Sequence, residues 1–583
     1  MTAAKPLTRP GPEPLDLPLK LGLARLANGI SPASVAMAYA DWLAHLAASP
    51  SKGAELGASA WRKSLSWMHY ATHAWQGDCE RCIEPLPQDK RFSPGEWHEI
   101  PFFAALAQAF LLQERWWTEA ASGVRGVSQH HEDVVAFTLR QLADLVSPSN
   151  FVATNPQVLK AVVTSSGRNL VSGFANWSRD ALAVLAGGPP RGVERFRPGE
   201  AVAVTPGQVV FRNHLIELIQ YQPQTPQVDA EPVLIVPSWI MKYYILDLTP
   251  DDSLVRYLVQ QGHTVFMVSW RNPAAEDRDL GMEDYLQQGP LAAVHAVARL
   301  CPAVRLHAAG YCLGGTLLAI AAAVLARDEP DLLQTVSILA GQVDFHEPGE
   351  LGLFMDESQV AFLEDLMAER GYLDGRQMAG AFQLINSRDL VWSKLVHEYL
   401  MGAQTAVTAL GAWNADATRL PARMHSEYLR RLYLHNDFAE GRYPAAGRWV
   451  APSDLRLPLF VAGTERDHVS PWRSVYKIHA LAHAPVSFLL ASGGHNVGIV
   501  SAPSGPLAHP HASYRFASHP PGEAPADPQA WLAAAPAFAG SWWPRWHEWL
   551  AQHSSGPVAA REVAGLVEQG TALAAPGSYV HQR

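Results

Sequence analysis

Gly310-Tyr311-Cys312-Leu313-Gly314-Gly315 decides how this chain of 583 residues is read. Residues 304–309 before it form a short apolar run that reads as a strand. Residues 316–325 after it (TLLAIAAAVL) read as a buried helix. Strand, Gly-x-nucleophile-x-Gly turn and helix together make a nucleophile elbow, here with Cys312 in the reacting position. Gly310 and Gly314 then have a steric reason. The nucleophile holds a strained φ/ψ, and a side chain two residues to either side would strike the neighbouring strand or helix. A buried core cysteine in a Gly-rich turn leaves the same local signature, so the rest of the chain has to supply the chemistry.

An elbow nucleophile needs a base, and the base needs an orienting acid. In α/β-hydrolase folds the chain order is nucleophile, acid, histidine, with the last two on loops after the final strands. Asp467 follows the strand-like run 457–462 in Gly463-Thr464-Glu465-Arg466-Asp467-His468. His495 follows the run 486–490 in Ser492-Gly493-Gly494-His495-Asn496. With 24 histidines in the chain, the residue type says little; the position after the last strand singles out His495. His468 and Glu465 are the competing base and acid. In this reading His495 takes the thiol proton and Cys312 attacks an acyl carbonyl. The oxyanion is held by the backbone N–H of Leu313 and by one from the loop after Val236, at Trp239-Ile240.

Cysteine in place of serine carries information of its own. Transfer from a thioester donor to Cys312 conserves a thioester, so the bound acyl group stays reactive toward a hydroxyl. A hydrolase gains nothing from this; an acyltransferase or polymerase does, provided water is kept out.

Around this centre the chain divides by pattern. Residues 1–20 read as a disordered lead-in and 21–190 as an all-helical N-terminal domain. Its first helix is capped by Ser31-Pro32, with Val35, Tyr39, Trp42, Leu43 and Leu46 on its apolar face. Further helices are expected over 101–119, 132–145 and 156–185. Gly187-Gly188-Pro189-Pro190 marks the boundary. Residues 191–552 read as the catalytic domain: a hairpin over 209–221, strands at 233–236, 264–270 and 336–340, helices at 251–261 and 285–300, and an aromatic helix at 542–550. This βα alternation argues for a mostly parallel sheet. Between about 346 and 450 helices and aromatics (Trp392, Trp413, Tyr428, Tyr433) replace the alternation, as in an insertion covering the active site. The tail, 553–583, reads as packing loosely or passing to a partner.

Composition excludes other classes. The net charge is −10 and there is no long basic run, which gives nucleic acid no footprint. Four cysteines make no disulfide framework and fit a reducing compartment. Charged residues are 17% of the chain, against about 25% in typical soluble proteins, a neutral surface suited to apolar material. The uncharged run 308–326 is broken by Gly310, Gly314 and Gly315 and belongs to the elbow, so no transmembrane segment is expected. His69, His73, Cys79 and Cys82 have a spacing that could hold zinc; without a second cysteine pair, no metal is expected there, and Cys301 reads as core.

Several stretches together resemble class I poly(3-hydroxyalkanoate) synthases, bacterial polymerases that make polyester from 3-hydroxyacyl-CoA. They are Trp239 through Leu248 (WIMKYYILDL), Val268 through Pro273 (VSWRNP), the elbow, Gly371 through Gly375 (GYLDG), Trp413 through Thr418 (WNADAT), Ser149 through Pro156 (SNFVATNP) and the Asp467 and His495 loops. Residues 32–50 fit as well, and the resemblance spans about 20–580. Ser238 and Met241 depart from it, standing where Pro and Asn are expected, and the tryptophan-rich stretch from Trp61 to Trp117 is unlike the family. The resemblance implies a Cys312–Asp467–His495 triad and 3-hydroxyacyl-CoA, such as 3-hydroxybutyryl-CoA, as substrate, with no cofactor. It further implies a homodimer and a cytoplasmic enzyme working at the surface of polymer granules on a growing polyester chain. The rival readings are an acyl-CoA thioesterase or polyester depolymerase on the same fold, and an inactive granule-binding paralogue.

Overall fold

The computed structural model describes residues 18, 19, 22, 30–76, 80–86, 89–186, 188–375, 377, 378, 380, 387–505, 508–568 and 570–583. The expected lead-in at 1–20 falls almost wholly outside them. The chain forms two compact units, one of residues 30–191 with 380–406, the other built mainly of 192–379 and 407–583.

In the helical unit, α1 (Pro32–Ala47) starts where Ser31 Oγ accepts the Ser34 N–H at 3.3 Å, with Pro32 in the first turn. It is followed by α2 (Pro50–His73), α3 (Pro101–Ala121) and α4 (Gln129–Leu145). Trp42, Ala120, Ala121, Val134 and Val135 make a core, and Trp42 Nε1 donates to the Ala120 carbonyl at 2.9 Å. Leu43, expected on the inner face, is exposed. The single helix expected over 156–185 is two, α5 (Pro156–Ser165) and α6 (Arg168–Leu185). Ser166 (φ 54°) and Gly167 (φ 79°) are left-handed, which ends the first helix. Residues 380–406 complete this unit. Asn169 Nδ2 donates to Leu400 O at 2.8 Å, Asn176 Nδ2 to Ala403 O at 2.9 Å, and Arg388 pairs with Asp144 and Glu114. The segment read as one insertion, 346–450, is therefore shared between the two units.

The second unit is organised by a ten-stranded sheet. Its strands are β1 (Gly207–Arg212), β2 (Ile216–Tyr221), β3 (Val233–Val236), β4 (Val265–Trp270), β5 (Leu306–Tyr311), β6 (Leu333–Leu339), β7 (Leu459–Thr464), β8 (Val486–Ala491), β9 (Ser513–His519) and β10 (Ala537–Ala539). The spatial order is β1-β2-β4-β3-β5-β6-β7-β8-β9-β10. Strands β4, β3, β5, β6, β7 and β8 are parallel; β1, β2, β9 and β10 are antiparallel additions at the two edges. The central strands are buried along their whole length except at Gln334 of β6, as expected of parallel strands covered on both faces. Strand order reverses around β3, and ligands of such sheets bind at the carboxyl ends of strands beside that reversal.

Three differences from the sequence reading concern this unit. The helix expected over 285–300 is interrupted at Gln287–Leu291, where Gly289 leaves helical φ/ψ and Pro290 has no N–H to give. Strands β9 and β10 were not expected. The tail, read as loose or passing to a partner, is docked on this unit. Pro557–Ala559 pairs with Gln227–Asp229. Val209, on edge strand β1, donates to Leu573 O at 2.8 Å and accepts from the Leu566 N–H at 2.7 Å. Backbone groups that an edge strand would leave open are thereby paired.

The aromatic helix expected near 542–550 spans Trp543–Gln552. Trp546 Nε1 donates to Ser337 Oγ of β6 at 3.0 Å and Trp549 Nε1 to Ser487 Oγ of β8 at 3.1 Å. Trp542 and Trp543 donate to the carbonyls of Gly498 and Ile499, both at 2.9 Å. Trp542 and Trp543 thus spend their single donors on the loop that carries His495. No described helix is long and apolar enough to cross a membrane.

Candidate functional site

Cys312 sits between the end of β5 and helix α7 (Leu313–Asp328), at φ 55° and ψ −129°. A non-glycine residue with positive φ of this kind costs about 1–3 kcal/mol and persists only where the surroundings enforce it. Two glycines show how. A Cβ on Gly310 would lie 2.5 Å from Gly315 Cα, and one on Gly314 would lie 2.2 Å from the Val236 carbonyl oxygen at the end of β3. The Cys312 N–H donates to Leu339 O of β6 at 2.9 Å, so the turn is locked to strands on either side. Leu313 opens α7, and a first-turn N–H has no intrahelical acceptor.

Asp467 lies in the loop after β7 and is buried, whereas Glu465, the competing acid, and His468, the competing base, are exposed. Its Oδ1 accepts from the N–H groups of Val469 (2.9 Å) and Ser470 (2.8 Å). Its Oδ2 accepts from Thr464 Oγ1 (3.0 Å) and pairs with His495 Nδ1 (2.8 Å). Burial alone would raise this carboxyl; the charge and hydrogen bond of His495 and the two N–H groups outweigh it and lower its pKa. Burial likewise opposes charging of His495. The charges of Asp467 and Cys312 and side-chain hydrogen bonds to both overcome it and raise the imidazole well above its ordinary value. The neighbour of Cys312 helps hold His495: the Tyr311 ring lies 5.7 Å from that of His495, and its hydroxyl donates to Asn496 Oδ1 at 2.6 Å. Cys312, His495 and Asp467, from three separate loops, thus meet at the carboxyl ends of β5, β8 and β7.

The loop after β3 forms the other side. The Ile240 N–H makes only a 3.4 Å contact, to Ser238 Oγ, long enough for a better acceptor to displace. The loop itself is firmly tied. Trp270 Nε1 donates to Pro237 O (2.9 Å), Thr418 Oγ1 to Trp239 O (2.6 Å), the Thr418 N–H to Ile240 O (3.2 Å), and Trp413 Nε1 to Lys242 O (2.7 Å). Met241, one of the two departures from the resemblance, pairs as an isolated bridge with Ala417. The role of Thr418 and Trp413 as staples of this loop has no local signal in the sequence.

Aromatic side chains close over the centre. Trp239 meets Tyr428 edge-on at 5.8 Å, Tyr428 meets Tyr433 at 5.4 Å, and Tyr433 meets Phe345 at 4.9 Å. Burial foremost, helped by the charge of Cys312, raises both tyrosine hydroxyls above the ordinary phenol value. These neutral rings form a low-dielectric wall, to which the segment read as a covering insertion contributes Tyr428 and Tyr433.

The possible zinc cluster divides differently. Cys79 lies outside the described residues. His73 Nδ1 lies 2.8 Å from His69 O, and the Cys82 thiol donates to Ser66 O at 3.4 Å. Among the described residues no group of three or more His, Cys, Asp or Glu side chains is placed to hold a metal ion.

Family models match three stretches: poly-beta-hydroxybutyrate polymerase N terminal over residues 10–52, poly-beta-hydroxybutyrate polymerase N-terminus over 88–258, and the alpha/beta hydrolase fold over 231–502. A poly(3-hydroxyalkanoate) polymerase of Methylorubrum extorquens is 39% identical over 530 residues, which is 90% of this chain and 85% of that protein. A poly(3-hydroxyalkanoate) polymerase subunit of Rhizobium etli is 35% identical over 90% of this chain and 81% of its own. One of Cupriavidus necator is 35% identical over 87% of this chain and 85% of its own.

Proposed function

The chain belongs to the poly(3-hydroxyalkanoate) polymerase family, and from that premise we propose that it is a class I synthase polymerising 3-hydroxyacyl-CoA, 3-hydroxybutyryl-CoA foremost, through a thioester on Cys312. The observation that carries the chemistry is the 2.8 Å His495–Asp467 pair on the side of a nucleophile held at φ 55°. With Nδ1 committed to Asp467, His495 keeps Nε2 for the reaction.

The cycle follows. His495 Nε2 takes the Cys312 proton, and the sulfur adds to the acyl carbonyl of the donor. The oxyanion is met by the N–H groups of Leu313 and Ile240. Collapse breaks the carbon–sulfur bond to CoA, which leaves with the proton from His495. The hydroxyl of a second unit, deprotonated by His495 with Asp467 behind it, attacks the Cys312 thioester; an ester forms and the Cys312 sulfur is released for the next unit. Each step needs only a thiol, an imidazole and a carboxylate, so the reading requires no resident cofactor. The aromatic wall supports polymerisation over hydrolysis, because a thioester intermediate survives only where water is excluded. A homodimer working in the cytoplasm at a granule surface belongs to the same proposal, by analogy with the family.

The test is purified protein and Cys312→Ala supplied with 3-hydroxybutyryl-CoA, following CoA release and sizing the product. High-mass polyester that disappears in Cys312→Ala is expected. Release of CoA with only free 3-hydroxybutyrate would leave a thioesterase, and release from neither variant an inactive paralogue.

A further inference from the structure

Lys242 is the one charged side chain of the loop that carries Ile240, and it is 2% exposed. An ammonium in such a place is costly unless its protons are answered. The answer comes from the far end of the chain: Nζ donates to the main-chain carbonyls of Gln582 at 2.8 Å and Tyr579 at 3.3 Å. Asp416, the acid whose field favours the charge on Lys242, itself accepts from the Tyr244 hydroxyl at 2.9 Å.

The contact is part of a closed circuit. The Asn272 N–H donates to Gln582 Oε1 (3.2 Å), and Asn272 Oδ1 accepts from the Arg419 N–H (2.9 Å). Arg419 Nη2 donates to Arg583 O (2.8 Å). Arg419 directly follows Thr418, which holds the carbonyls of Trp239 and Ile240. Trp413 holds the carbonyl of Lys242 itself. The loop is thus gripped through its main chain by 413–418 and through its one buried cation by 579–583. The tail segment is anchored independently, since Ser578 and Tyr579 donate their N–H groups to the buried Glu217 carboxylate at 2.9 and 3.0 Å.

We propose that Lys242 is a positioning residue for acyl transfer, and that residues 579–583 form a strap which, through its ammonium, keeps the Ile240 N–H aimed at the reacting carbonyl. This rests on the assignment of Ile240 as an oxyanion donor. The strap gives the active site a dependence on the last residues of the sequence, far from the elbow in the chain. Burial, opposed by Asp416 and reinforced by Arg419 and Arg583, holds the Lys242 pKa down at about 8.

The test uses the full chain, Lys242→Met, a chain ending at Ser578, and the two changes combined. Hydrogen exchange is followed over residues 238–244, alongside CoA release from 3-hydroxybutyryl-CoA and alkylation of Cys312 by iodoacetamide. Both single changes are expected to speed exchange at 239–241 at least about tenfold, which reads local opening free of any catalytic assumption. Turnover should fall by about 10²–10³, the usual cost of an oxyanion donor. KM should move by less than about threefold, alkylation should be little changed, and the combined variant should be no worse than the poorer single one. Unchanged loop exchange in both variants, additive losses, or alkylation falling in step with turnover would overturn the proposal. Should Lys242→Met fail to fold, the chain ending at Ser578 carries the same test. If the unaltered chain releases no CoA while the exchange result holds, the strap stands and the functional reading of the site fails.

Discussion

The two walls that would meet a reacting carbonyl are held by different means. The elbow is fixed locally: Gly310 and Gly314 give backbone room for close approach, and Cys312 is wedged at positive φ between adjacent strands. The loop from Pro237 to Lys242 has no such internal logic. It is held by Trp270, Trp413, Thr418 and the strap at 579–583, partners drawn from most of the second unit. One wall is a short-range consequence of sequence; the other is a product of the completed fold. Damage to the first should act on the nucleophile, and damage to the second on stabilisation of charge at the carbonyl with the nucleophile intact.

The largest effects should come from the elbow and its partners. His495→Ala should lower CoA release by about 10⁴, and Asp467→Asn by nearly as much, because the imidazole loses its tautomer and its support. Burst kinetics with 3-hydroxybutyryl-CoA checks both. Gly314→Ala should cost at least about 10², since its methyl would sit 2.2 Å from the Val236 carbonyl oxygen and displacement of a reacting group by an ångström is enough for that loss. Here alkylation of Cys312 should fall together with turnover. Equal alkylation in Gly314→Ala and the unaltered chain would erase the distinction between the two walls.

Thr418→Val tests the second wall on a smaller scale. It removes the 2.6 Å bond to Trp239 O while keeping shape, and an unmade buried hydrogen bond costs about 1–3 kcal/mol. Turnover should drop by about tenfold, with alkylation of Cys312 unchanged. A fall in alkylation equal to the fall in turnover would show that the walls are one mechanical unit.

That contrast also explains what the sequence disclosed. The elbow was legible because its constraint spans six residues. The order of Asp467 and His495 was legible because a parallel sheet delivers its functional loops in chain order. Glu465 and His468 stand beside Asp467 in the chain, and burial, a property of the fold, is what separates them from it. Strand β10 is three residues long, and β9 (SYRFASH) has only one buried position, so neither announces itself by pattern. The break at Ser166-Gly167 was passed over because hydrophobic periodicity runs across it. Docking of the tail depends on pairing with strands more than three hundred residues earlier, which no window of sequence can show.

The smallest effect concerns pH. His495 is raised above its ordinary 6.5, so its contribution to stability is complete below pH 6.5 and is lost as pH rises through the elevated value. Asp467 is lowered from 3.8, so its contribution is present above that value and is lost as pH falls through the lowered one. The melting temperature of His495→Ala should therefore trail that of the unaltered chain most near pH 6, by roughly 1 °C for each kcal/mol in a unit of this size, and the gap should narrow toward alkaline pH. A gap that widens with pH would contradict the ion-pair account.

The most direct test of the central claim is rapid quenching of the enzyme with 3-hydroxybutyryl-CoA followed by peptide mass mapping. A 3-hydroxybutyryl mass on the peptide bearing Cys312, formed as CoA appears and replaced by longer oligomers as polyester accumulates, is the predicted result. CoA release with Cys312 unmodified at every time, or an acyl group carried elsewhere and retained in Cys312→Ala, would contradict it.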